Sequence, residues 1–193
     1  MFIKNWKTEI LTIPNLLSLF RLVLIPVYVY IYLNAVERHQ FYLAGMIMAV
    51  SCLTDAVDGK IARHFNMVST VGKILDPLAD KVTQFTLTLC LSLKYPVLNP
   101  VLVLFVIKEA FQAVVGLVYL RRGRMLPGAL MAGKICTTVL FVSLITLVLF
   151  PDMNPALVDA IAMTDGLFLM ISFISYILAY YGKNAKVQDV NME

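Results

Sequence analysis

Residues 55–80 decide the fold: Asp55-Ala56-Val57-Asp58-Gly59-Lys60-Ile61-Ala62-Arg63, then residues 64–71, then Gly72-Lys73-Ile74-Leu75-Asp76-Pro77-Leu78-Ala79-Asp80. Apolar stretches flank both halves, which places the aspartates at the ends of two long helices. Asp55 and Asp58 are three apart, and Asp76 and Asp80 are four apart. On a helix each pair projects from one face. If the two helices form an antiparallel hairpin, four carboxylates converge on one small volume.

Carboxylates near apolar surface cannot stay ionised without a compensating charge. Lys60, Arg63, Lys73 and Lys81 are near enough in sequence to pair with them. Ion pairing, however, does not require paired carboxylates on facing helices. Hard divalent cations benefit from that arrangement, since Mg²⁺ and Mn²⁺ prefer a few carboxylates plus substrate phosphates. Gly59 and Ala62, with Gly72 one turn before Asp76, clear bulk beside the acids. Small residues permit close helix approach and equally permit a ligand to approach the backbone. Arg63 offers a planar fork suited to phosphate. Pro77 is tolerable in a helix that begins near Gly72.

Working outward, the 193 residues are 60% hydrophobic and 15% charged, with a mean hydropathy of +0.83. A soluble domain carries about 25% charged residues, so part of the solvent is lipid. Six apolar segments, roughly 13–33, 41–63, 72–95, 97–120, 128–150 and 156–181, predict an all-α polytopic membrane protein. Six transmembrane helices then form a single domain over 1–193. The stretch 13–33 contains Arg21 and lacks a small-residue cleavage site, so it reads as a retained helix rather than a secretory signal. Residues 1–11 mix Trp6 and Phe2 with charges and predict a short amphipathic helix at the interface. Cys52, Cys90 and Cys136 sit far apart in apolar runs and read as small buried hydrophobes.

Basic residues set the orientation. With the N-terminus inside, inner segments hold Lys4, Lys7, Lys60, Arg63, Lys73, Lys81, Arg121, Arg122, Arg124, Lys134, Lys183 and Lys186, whereas outer connections hold only Arg38 and Lys94. Cytoplasmic loops retain Lys and Arg. Both termini and the aspartates are therefore expected at the cytoplasmic face of a cell membrane, bacterial in type. This distribution explains the net charge of +4 by membrane lipids, with no nucleic acid partner.

The string Asp55-x2-Asp58-Gly59-x2-Ala62-Arg63-x8-Gly72-x3-Asp76-x3-Asp80 resembles, at every fixed position, the motif of the CDP-alcohol phosphotransferases. Eight fixed residues at fixed spacings make the likeness specific. The six-segment hydropathy extends it over essentially the whole chain. The resemblance implies two divalent cations, Mg²⁺ or Mn²⁺, on Asp55, Asp58, Asp76 and Asp80. It implies CDP held along Asp58, Gly59, Ala62, Arg63, Gly72 and Asp76, Asp80 as general base, and a homodimer. The donor would be CDP-diacylglycerol, and CMP would be released as its phosphatidyl group passes to an alcohol.

For the acceptor, Ile13-Pro14-Asn15-Leu16-Leu17-Ser18-Leu19-Phe20-Arg21 and Leu75–Lys81 resemble phosphatidylglycerophosphate synthases and the related cardiolipin synthases. Asn15, Ser18 and Arg21 share roughly one helix face, and Arg21 in a lipid-facing stretch needs a partner such as phosphate or carboxylate. With Lys108 and Lys134 they make a candidate acceptor site for glycerol 3-phosphate. Lys134 is equally placed to snorkel, and Lys108 to pair with Glu109 or Asp165. The chain departs from the synthases in having Lys108-Glu109 where they show Arg-Glu, and Gly116 two turns on where they show Arg. That departure keeps phosphatidylglycerol, the cardiolipin synthase acceptor, as the alternative.

Two other classes are weighed. Membrane prenyltransferases also grip pyrophosphate with aspartates and Mg²⁺, but they are longer bundles with separated motifs. A cation transporter would spread acids through the bilayer centre rather than gather them beside Gly59 and Arg63 at one face.

Overall fold

The computed structural model describes the backbone of residues 13–64, 72–121, 124–125, 130–181 and 188–189. Side chains are described throughout these except at 13–14, 53, 55–64, 72–74, 120, 124–125, 181 and 188–189. Among the described residues there are six α-helices: α1 (Ile13–Leu33), α2 (Arg38–His64), α3 (Gly72–Lys94), α4 (Asn99–Arg121), α5 (Met131–Leu149) and α6 (Pro155–Tyr181). A 3₁₀ turn at Pro96–Leu98 leads into α4, and a two-residue antiparallel pairing joins Arg124 to Asp189 and Met125 to Gln188. The expected amphipathic helix over 1–11 lies outside the described residues.

Apart from that short pairing the described residues are helical, as the hydropathy predicts. Among the described residues, four helices are long and apolar enough to cross a membrane, over Asn15–Leu33, Pro96–Tyr119, Met131–Leu149 and Pro155–Tyr180. The α2 and α3 helices have the length, at 27 and 23 residues, but the motif charges dilute their apolar content. The expected edges of α2 and α5 shift by about three residues. Helix α2 starts at Arg38 in place of 41, because the Gln40 side chain accepts the N–H groups of Val36 and Glu37 and organises an earlier start.

The chain forms two compact units. The first comprises residues 1–90 with 145–152. Here α1 and α2 pack together, and α1 is sided opposite to a water-soluble helix. Asn15, Ser18, Arg21, Ile25, Tyr28 and Tyr32 are buried, whereas Leu16, Leu19, Phe20, Val23, Val27 and Tyr30 are exposed. Polar groups inside and aliphatic groups outside suit a lipid solvent. Tyr28 stacks on Tyr32 at 5.5 Å, and Phe41 of α2 meets Tyr32 edge-on at 5.6 Å. Gly45 of α2 is a close-approach position: a Cβ there would lie 2.6 Å from Leu149 Cδ2.

The second unit comprises residues 91–144 with 153–193, and α4 packs on α6 within it. Its core gathers Val115, Tyr176 and Tyr180, with Phe111 and Tyr119 against them. Phe111 meets Phe173 edge-on at 5.3 Å and stacks on Tyr180 at 6.2 Å. Hydroxyls throughout the helices turn back on the chain. Thr83, Thr88, Thr138, Thr164 and Ser175 each donate to the carbonyl four residues earlier, which satisfies them without water. Cys90 and Cys136 are buried and Cys52 half-buried, none in a disulfide, as their spacing predicts.

Candidate active site

The motif divides between two helix ends. Asp55, Asp58, Gly59, Ala62 and Arg63 occupy the last turns of α2, and their side chains lie outside the described set. Gly72 opens α3, and Asp76 and Asp80 follow in its first turns. Pro77 falls just beyond the opening turn, where it removes the rung that would run from its own nitrogen back to the Lys73 carbonyl.

Asp76 and Asp80 are half-buried, one turn apart on the face that continues into Ala79, Thr83 and Gln84. Both are held from α1. The Ser18 hydroxyl donates a hydrogen bond to Asp76 Oδ1. Arg21 Nη1 donates to Asp80 Oδ1 at 3.0 Å. Three residues along α1 match four along α3, both ascending, so the helices run in parallel here with paired registers. Ser18 and Arg21 are buried to 0% and 1% exposure. A guanidinium so placed needs a countercharge, and Asp80 supplies one. Lys81, next to it, is half-buried.

Of the five residues expected at the acceptor, Ser18 and Arg21 are thus bonded to the aspartates, and Asn15 is buried one turn before Ser18. Lys108 and Lys134 belong to the second unit. Lys108, 3% exposed, donates to Glu109 Oε1 at 2.6 Å, the pairing with its neighbour that the sequence admits. Lys134 is exposed in the first turn of α5. His39, in the first turn of α2, is exposed and lies 3.0 Å from Glu37.

Gln84 escaped the sequence reading. It lies one turn beyond Asp80, 1% exposed, and neither its Oε1 nor its Nε2 has a hydrogen-bond partner. Ser51, one turn before Asp55 on α2, is likewise buried with an unpartnered hydroxyl. The signal was available: a polar residue at i+4 or i−4 from a motif aspartate, inside an apolar run.

Asp76 and Asp80 present hard oxygen donors on one helix face, as a Mg²⁺ or Mn²⁺ site requires. The hydrogen bonds from Ser18 and Arg21 both fall on Oδ1 atoms. Among the described residues no group of three or more His, Cys, Asp or Glu gathers.

The family model for CDP-alcohol phosphatidyltransferase matches residues 11–178. A protein of Aquifex aeolicus, named CDP-diacylglycerol–glycerol-3-phosphate 3-phosphatidyltransferase, is 30% identical over 174 residues, 87% of this chain and 95% of that one. A Mycobacterium tuberculosis protein, named "Probable phosphatidylglycerophosphate synthase", is 31% identical over 89% of this chain and 82% of its own. The CMP-forming cardiolipin synthase of Rattus norvegicus is 41% identical over 117 residues, 60% of this chain and 37% of that one.

Proposed function

Since the chain belongs to the CDP-alcohol phosphatidyltransferase family, we propose that it transfers the phosphatidyl group of CDP-diacylglycerol to glycerol 3-phosphate. The products are phosphatidylglycerophosphate and CMP. The observation that carries this reading is the pair Asp76 and Asp80, held on one face of α3 by Ser18 and Arg21 of α1. An enzyme needs its carboxylates at fixed positions before substrate arrives, and buried donors on a packed helix provide that.

Asp55, Asp58, Asp76 and Asp80 would hold two divalent cations, Mg²⁺ or Mn²⁺, which when bound neutralise the charge of the pyrophosphate. Gly59, Ala62 and Gly72 leave room for CDP to lie against the helix ends, and Arg63 with its fork grips phosphate oxygens. Asp80 receives the proton of the acceptor hydroxyl as that oxygen attacks the lipid-side phosphorus. A new P–O bond forms to the acceptor, the P–O bond to CMP breaks, and CMP departs with its charge balanced beside Arg63. Arg21 fixes the direction in which Asp80 accepts. Such transfer is mostly positioning and electrostatics.

Lys108 and Lys134 bind the phosphate of glycerol 3-phosphate in this reading. The alternative acceptor is phosphatidylglycerol, as for a cardiolipin synthase. One observation favours it: Glu109 already neutralises Lys108, which leaves less positive charge for a phosphate dianion.

The chain is an integral membrane protein. We extend its four candidate spans to six crossings, with α2 and α3 bringing the motif to the cytoplasmic surface beside both termini. It works as a single domain over 1–193 and pairs as a homodimer. The acceptor is tested with purified protein in nanodiscs, CDP-diacylglycerol and Mn²⁺, by identifying the lipid product. Phosphatidylglycerophosphate from glycerol 3-phosphate is expected. Cardiolipin from phosphatidylglycerol, with no product from glycerol 3-phosphate, would instead establish the alternative.

A further inference from the structure

We propose that Tyr176 is a positioning residue for the acceptor phosphate, tying Lys108 of α4 to the first turn of α5, where Lys134 stands. The inference rests on the acceptor reading above. Its evidence lies wholly within the second unit.

The two ends of one side chain do different work. Lys108 Nζ stands 5.8 Å from the centre of the Tyr176 ring, within the range of a cation–π contact. Glu109 takes a hydrogen bond from the same ammonium at 2.6 Å. Ring and carboxylate together fix a cation that is 3% exposed. At the far end, the Tyr176 hydroxyl accepts the backbone N–H of Leu130 at 3.3 Å. That N–H is one of those a helix start leaves without a partner. The carbonyl of Leu130 in turn accepts the N–H of Lys134 at 3.1 Å. The residue that Tyr176 holds is therefore the one from which the turn bearing Lys134 is built.

Gly133 admits the ring. A Cβ at this position would lie 2.5 Å from Tyr176 Oη and 3.0 Å from its Cε2, so a side chain there displaces the tyrosine. On the other side, Tyr180 packs against Tyr176 at 5.6 Å and is itself stacked by Phe111. The Tyr119 hydroxyl donates to the carbonyl of Tyr180 at 2.9 Å. Tyr180 braces the ring on one side, and Gly133 leaves room for it on the other. A shift of Tyr176 would move the seat of Lys108 and the start of α5 together.

The test uses the full chain in nanodiscs, comparing wild type with Tyr176→Phe, Tyr176→Leu, Gly133→Ala and the Gly133→Ala/Tyr176→Phe double variant. Glycerol 3-phosphate is titrated at saturating CDP-diacylglycerol, then the reverse, and thermal unfolding is followed on each protein. Phenylalanine keeps the ring and loses the hydroxyl. KM for glycerol 3-phosphate is expected to rise about fivefold, with kcat and the KM for CDP-diacylglycerol within about twofold of wild type. Tyr176→Leu loses both contacts and raises it about thirtyfold. Gly133→Ala matches Tyr176→Phe, and the double variant falls short of the product of the two, because both act on one contact.

An unchanged KM for glycerol 3-phosphate in Tyr176→Phe overturns the proposal. So does a parallel change in both KM values and the melting temperature, the mark of simple core packing. If wild type uses phosphatidylglycerol alone, the acceptor reading has failed by itself. The same variants titrated with that lipid then decide Tyr176: a selective rise in its KM upholds the positioning role, and an unchanged KM ends it.

Discussion

Arg21 on α1 and Asp80 on α3, 59 residues apart in sequence, meet through Nη1 and Oδ1 at 3.0 Å. The arginine side chain is 2% exposed and the carboxylate 28%, so the cation depends on this contact more than the anion does. Removing one partner of a buried ion pair costs about 3–5 kcal/mol, and water at Asp80 reduces that to about 2–3 kcal/mol here. Asp80→Ala should lower thermal stability by that amount, whereas Asp80→Ala combined with Arg21→Leu should recover part of it. Unfolding followed in detergent, with activity ignored, checks the pair.

Ser18 holds Asp76 as Arg21 holds Asp80. Ser18→Ala should weaken Mn²⁺ binding by about tenfold, the loss of one charge-assisted hydrogen bond of about 1.5 kcal/mol. Ser18→Thr keeps the hydroxyl and should bind as wild type does. Titration of Mn²⁺ followed by electron paramagnetic resonance measures this without turnover.

Gln84 presents the opposite economy. Its buried amide has no hydrogen-bond partner, and such a group destabilises by about 1–3 kcal/mol. Gln84→Leu should therefore raise the melting temperature. If the amide serves the reaction one turn beyond Asp80, the same variant loses activity while gaining stability. A melting curve and an initial rate on one preparation decide both.

Gly45 sets how closely α2 meets Leu149. Gly45→Val should cost about 1–3 kcal/mol by overpacking. Adding Leu149→Ala should return part of it, since the clash is with the Leu149 Cδ2 atom. Two single variants and the double, compared by thermal unfolding, are sufficient.

Much of this was legible in the chain. The three- and four-residue spacing of the aspartates required helices, and hydropathy required lipid around them. Asn15, Ser18 and Arg21 were readable as one buried polar face, because Arg21 in an apolar stretch demands a partner. Which partner was not readable. Periodicity describes one helix at a time, and the pairing of Ser18 with Asp76 and Arg21 with Asp80 joins helices 58 and 59 residues apart. The family resemblance directed both residues toward the acceptor, while phosphate and carboxylate both stayed open as the partner of Arg21. Lys108 was legible as an acceptor cation or as a partner of Glu109 or Asp165, and it is bonded to Glu109. Tyr176 gave no signal, since an aromatic residue in an apolar helix reads as core. Its role depends on Gly133 lying opposite, a fact of packing.

The central claim is tested most directly by CMP release from CDP-diacylglycerol in nanodiscs. Wild type, Asp76→Asn and Asp80→Asn are compared with Mn²⁺ or Mg²⁺ and an acceptor alcohol. The account predicts CMP from wild type only when cation and acceptor are both present. It predicts a rate at least about 10²-fold lower for each asparagine variant. CMP release by Asp80→Asn at the wild-type rate, or release by wild type that ignores the divalent cation, would contradict it.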